Sequence, residues 1–155
     1  MDPAVESLLE DLKSADEALR DRATQALWNR WFHQKGVVGL EQLQRAQRLM
    51  DRDEFKKAEE VLCELIAAQP DFAEAWNRRA VLRYTQERYV QAIMDCRTVL
   101  RLVPYHFGAL HGMGLCYAAV GKYSEAVQAF HKALEVQPHV SLNRVLLLEC
   151  TARLN

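Results

Sequence analysis

The sequence predicts an all-α chain organised as a solenoid of antiparallel helix pairs. Three observations support this. Small or ring residues recur at one interval: Pro70, Pro104 and Pro138; Ala46, Ala80 and Gly114; Ala58, Ala92 and Ala126, each column stepping by 34 residues. A fixed period of this size marks a repeat architecture. Between the columns, bulky apolar residues return every three or four positions, the spacing of one face of an amphipathic helix. Only six Gly and four Pro occur in 155 residues, so little of the chain is available for long irregular segments.

Residues 1–38 do not keep the register of the repeat. Ser14-Ala15-Asp16-Glu17 reads as a capping box that splits the region into helices near 3–13 and 16–34. Leu8, Leu9, Leu12, Leu19, Ala23, Leu27 and Trp31 form an apolar stripe. Trp28, Trp31 and Phe32 are expected to close the front of the stack, and an exposed aromatic patch that binds a partner is the alternative.

Three units follow, at 39–70, 73–104 and 107–138. In each, the small residue at 46, 80 or 114 lets the second helix pass close to the first, and the alanine at 58, 92 or 126 does the same from the other side. Leu49, Leu62 and Leu65 fill the first unit, Trp76, Tyr89 and Val99 the second, Leu110, Tyr117, Tyr123 and Phe130 the third. Each proline ends a second helix, because its ring does not fit the helical path. Asp71 is expected to cap the helix after Pro70, with Glu74 three residues on. Gly121-Lys122, Asp53 and Glu87-Arg88 stand at the tight turns within the units. Past Pro138, Cys150 lies 34 residues after Cys116, and Leu148 lies 34 after Gly114. Residues 141–155 therefore read as a capping segment, one more first-type helix without a partner.

The formal net charge is −1, too small to draw the chain to nucleic acid or a membrane surface. Arg78, Arg79, Arg83, Arg88, Arg97 and Arg101 make the second unit locally basic, with Glu74, Glu87 and Asp95 at hand to pair them. No apolar window is long enough to span a bilayer, and no basic start leads into an apolar run, so membrane insertion is not expected. An intracellular soluble protein is expected, cytoplasmic or the mature form of an organellar (for example plastid) protein. Cys63, Cys96, Cys116 and Cys150 form no C-x-x-C pair and read as buried thiols, so no metal is expected. His106 and His111 are five apart, as are His111 and Cys116, which does not bring either pair to one helical face. There is no H-E-x-x-H, no glycine-rich phosphate loop and no G-x-S-x-G elbow. The chain is expected to have no catalytic residues and no cofactor.

The stretch Ala75-Trp76-Asn77-Arg78-Arg79-Ala80, with Tyr89, Ala92-Ile93 and Pro104, resembles a tetratricopeptide repeat. The third unit matches more closely, through Gly114-Leu115-Cys116-Tyr117, Gly121-Lys122-Tyr123-Ser124-Glu125-Ala126, Phe130, Ala133-Leu134 and Pro138. The first unit is degenerate, with Gln42 where an aromatic is usual, but keeps Ala46, Phe55, Ala58 and Pro70. The resemblance covers residues 39–138 and implies a right-handed superhelix whose concave face is lined by the first helices. The inward positions it implies are Leu43, Gln47 and Met50; Asn77, Val81 and Tyr84; and His111, Leu115 and Ala118. By the same resemblance Glu74, Arg78 and Gly108 are expected near the rim, and Val145 on the last helix is expected to close the groove.

The function implied is an adaptor that holds a peptide or helix of a protein partner in that groove. The alternative is a self-association module in which terminal helices pair with another copy; a monomer is the simpler expectation. The carboxylate clamp by which some family members grip acidic chaperone tails is not expected. Leu43, Gln47 and Arg78 stand where its Lys and Asn residues belong, and Gly108 and Gly112 where basic residues belong. Sequence leaves open whether the front segment fills the hollow side.

Overall fold

A computed structural model describes residues 1–155 as nine α-helices with no strand. The first two, α1 (Pro3–Asp11) and α2 (Glu17–Phe32), make a hairpin. Three antiparallel pairs follow: α3 (Gly36–Asp51) with α4 (Phe55–Ala68), α5 (Ala73–Thr85) with α6 (Tyr89–Leu102), and α7 (Phe107–Ala119) with α8 (Tyr123–Val136). A single helix, α9 (Ser141–Ala152), packs on α8.

The repeated columns are where the helices touch. Ala46, Ala58, Ala92 and Ala126 are all within 1 % of complete burial. Gly114 shows why the column stays small: a Cβ there would lie 2.6 Å from the Phe130 ring. An extra methyl at such a point forces the packed helices apart. The turns between first and second helices repeat as well. Asp53, Glu87 and Gly121 all have left-handed backbone, with φ of 60°, 59° and 78°. In each turn two amide N–H groups reach back into the preceding helix, as when Glu54 N–H donates to the Leu49 carbonyl and Asp53 N–H to that of Met50. That is the Schellman termination, in which one residue must take the left-handed conformation.

Two caps differ from expectation. Phe72 stands at the cap of α5, and Asp71 turns its carboxylate to Lys35 Nζ at 2.8 Å. The chain leaves Pro70 one residue later than the pattern suggested, so Asp71 points to the side of α3. In the front segment the cap is Asp16, whose carboxylate accepts from the Ala18 N–H at 3.0 Å. Ser14 accepts from Asp16 N–H instead of reaching into α2.

The larger correction concerns the hairpin. It does not close the front of the stack, where Val37 and Val38 remain about 70 % exposed. It lies across the mouth of the concave side, at the N-terminal ends of the first helices. Leu27 and Trp31 are buried in a cluster with Val5, Leu12, Ala23 and Phe107, with Val103, Tyr105 and Val136 at its edge. Trp31 stacks on His106 with centroids 4.0 Å apart, and Trp28 meets Phe107 edge-on at 5.2 Å. Farther along, His139 Nε2 lies 3.3 Å from the Lys13 carbonyl. The reason is apolar area. The junction of α6, α7 and α8 offers the aromatic stripe of α2 a deep cradle, and burial scales with the area removed from water.

A concave groove half filled by its own first helices

The filled half of the groove is organised around a buried carboxylate. Glu74, near the start of α5, is completely buried. Its Oε1 accepts from Asn77 Nδ2 at 3.1 Å and from Arg78 Nε at 2.9 Å. Its Oε2 faces His106 Nε2 at 3.0 Å. His106 Nδ1 accepts from the Ala109 N–H at 3.1 Å, capping α7. A nitrogen that accepts carries no proton, so the ring proton sits on Nε2 and is donated to Glu74. A carboxylate removed from water needs such a set of donors, since an unpaired buried charge is very costly. Arg78 completes the arrangement: it donates to Gln47 Oε1 at 3.3 Å, and its guanidinium lies 5.3 Å from the Phe32 centroid and 5.9 Å from that of Trp28. Helix α2 thus covers the charged end of the groove with a layer of aromatic rings.

Beyond α2 the groove stays open. A depression of about 210 Å³ lies between α5 and α7, floored by Ala80, Gly112, Cys96 and Cys116 and walled by Val81, Tyr84, His111 and Leu115. Val81 and Tyr84 are 39 % and 38 % exposed, and both line this depression. His111 Nδ1 donates to Asn143 Oδ1 of α9 at 2.6 Å, which fixes the ring at the wall. Burial pushes both floor thiols up, Cys116 to about 11 and Cys96 further. Desolvation disfavours the thiolate, so both are inert apolar floor. A second depression opens toward α9, lined by Leu115, Ala118, Tyr123, Leu146 and Arg153.

Tetratricopeptide repeat models match residues 43–107 and 108–140. This chain belongs to the tetratricopeptide repeat family. A TPR repeat-containing protein of Rhizobium etli is 34 % identical over 96 residues, 62 % of this chain and 47 % of that protein. The BBSome complex member BBS4 homolog of Drosophila melanogaster is 24 % identical over 107 residues, 69 % of this chain and 22 % of that one. The chain thus spans less than half the length of these relatives. Among solved structures, the first TPR of Spaghetti (RPAP3) bound to the HSP90 peptide SRMEEVD superposes with a TM-score of 0.72 at 18 % identity, over 74 % of this chain and 91 % of that one. A MamA RS-1 double mutant gives 0.70 at 17 % identity, over 100 % and 87 %. These likenesses show the fold. The matched repeats begin at residue 43, so α1 and α2 lie outside them.

Set on the tetratricopeptide frame, the inward residues divide. Asn77, Val81, Tyr84, His111 and Leu115 meet around the open depression, and Ala118 sits in the neighbouring one. Leu43 and Met50 do not line the groove. They are 1 % and 8 % exposed, in a core with Leu62, Phe72 and Leu82, against which Phe32 of α2 packs. The degenerate first unit has turned its inward column into packing surface. Gln47 serves the structure, donating to Asp51 Oδ1 at 2.8 Å while accepting from Arg78, and Arg78 itself is held under α2. Sequence reasoning missed Ala80, Gly112 and the two cysteines as floor. Gly108 and Gly112, one turn apart on α7, were the available signal. A Cβ at Gly108 would lie 2.7 Å from Trp28 Cη2, and one at Gly112 would meet only Cys96 Sγ at 3.9 Å. One glycine admits the chain's own helix, and the other leaves space.

Proposed function

We propose that this chain is a non-catalytic adaptor that holds a peptide or helix of a protein partner in the open half of its groove. The observation that carries this reading is the apolar depression walled by Val81, Tyr84, His111 and Leu115, left uncovered beside the part that α2 occupies. A concave apolar site with a few placed polar groups is the usual form of a recognition pocket. The fold is a protein-interaction scaffold, and structural neighbours such as the RPAP3 domain are described with bound chaperone peptides. The partner segment inferred here is of a different kind. Positions that would grip an acidic tail are buried, as Leu43 is, or already paired beneath aromatic rings, as Arg78 is. What remains open suits aliphatic or aromatic anchors set at helical or extended spacing.

The test is affinity capture with the wild type, with Val81→Glu and with Val90→Glu. Val90 is 65 % exposed on α6, away from the depression, and serves as the control. The reading expects the same partners for wild type and control, and loss of a shared set with Val81→Glu. Equal recovery by all three folded proteins contradicts it.

A further inference from the structure

Helix α9 presents a second surface, and Val145, expected from the sequence to close the groove, lines neither depression and lies on this surface instead. Its Asn143, Leu146, Leu147 and Cys150 face the stack. The opposite face is uncovered: Leu142, Val145 and Leu148 are 55 %, 49 % and 62 % exposed. In the repeat register Leu148 replaces Gly114, so the site of closest approach to a second helix carries a large apolar side chain and no helix over it. Ser141, Val145, Leu148 and Ala152 follow one another at intervals of four, three and four, which is the seam of a two-stranded coil. In a parallel coil a β-branched residue followed by leucine in the seam favours two strands over three or four. Arg144 and Glu149 flank the seam on opposite sides, five residues apart. That separation brings the cation of one strand beside the anion of the other in a parallel arrangement, twice by symmetry. Within the chain Arg144 is held only by one N–H donated to the Pro138 carbonyl at 2.9 Å, leaving its other donors free.

We propose that α9 docks in parallel on α9 of a second copy of this chain, with Val145 and Leu148 in the seam and Arg144 beside Glu149 of the second copy. The helix has 12 residues, less than two heptads. The contact is therefore expected to fall below the ~1,200 Å² of standard stable interfaces, in the class of weak, transient pairings. Such a dimer forms only at high local concentration, for instance when the chain is tethered within a larger assembly.

Sedimentation equilibrium on the full chain, from about 10 µM to about 1 mM, tests this by mass action. The wild type is expected to pass from monomer to dimer, and Leu148→Glu to stay monomeric with unchanged helix content by circular dichroism. Arg144→Glu should weaken the dimer about tenfold through like-charge opposition, and Arg144→Glu combined with Glu149→Arg should recover it. A wild type monomeric at every concentration overturns the proposal and leaves the face to another protein. So does a Leu148→Glu variant that dimerises normally, or a series of larger oligomers, which requires a head-to-tail contact.

Discussion

The left-handed turn residues show how a single side chain is set against the fold. Asp53 and Glu87 occupy backbone that costs a non-glycine residue roughly 1–2 kcal/mol, whereas Gly121 fills the same place without strain. Glycine loses more chain entropy on folding, which offsets part of that gain. Glu87→Gly is therefore expected to raise stability by about 0.5–1 kcal/mol in urea unfolding, with an unchanged slope. Glu74 behaves in the opposite way. Glu74→Ala leaves His106, Arg78 and Asn77 without their shared acceptor and should cost about 3–5 kcal/mol. Its burial was hidden from the sequence, because its partner His106 lies 32 residues away and no local spacing links the two. The thiols were more legible. Cys96, Cys116 and Cys150 are buried and Cys63 is half-buried, so mass spectrometry after brief alkylation of the native protein should find Cys63 modified first.

At the scale of helices, periodicity identified each element, and its limits show in where α2 went. An apolar stripe states that a face must be covered and does not state by what. Trp28, Trp31 and Phe32 were visible as a cluster, but the cradle they enter is assembled from Val103, Tyr105, Phe107 and Val136, on segments far along the chain. Gly108 is the residue that lets α2 settle there. Gly108→Ala drives a methyl into the Trp28 ring and should cost about 1–3 kcal/mol. The loss should be local, read as faster amide exchange in α1 and α2 with the exchange of α7 and α8 preserved. If exchange rises equally throughout, the hairpin is not the element that Gly108 serves. Helix α9 was legible in kind from the register of Leu148 and Cys150, since a lone first-type helix has to leave one face bare.

Over the whole molecule the stack is a set of like units whose cores merge into one another, as repeat architectures require. The regular part of the chain was readable because each unit repeats the same steric demand, a small residue where helices cross and a proline where they end. The site was readable only in part. Inward residues of the second and third units line the two depressions, whereas Leu43 and Met50 of the first are buried in a core with Leu62, Phe72 and Leu82, a change that residue type does not announce. The result is a superhelix whose own front hairpin packs across one edge of its hollow side, with an apolar depression left open beside it. The most direct measurement is a two-dimensional NMR titration of the labelled chain with a captured partner segment. Signals of Val81, Tyr84, His111 and Leu115 are expected to shift while the indole signals of Trp28 and Trp31 hold still. Shifts confined to α4, α6 and α8, or indole signals that move with the groove unchanged, would contradict the account.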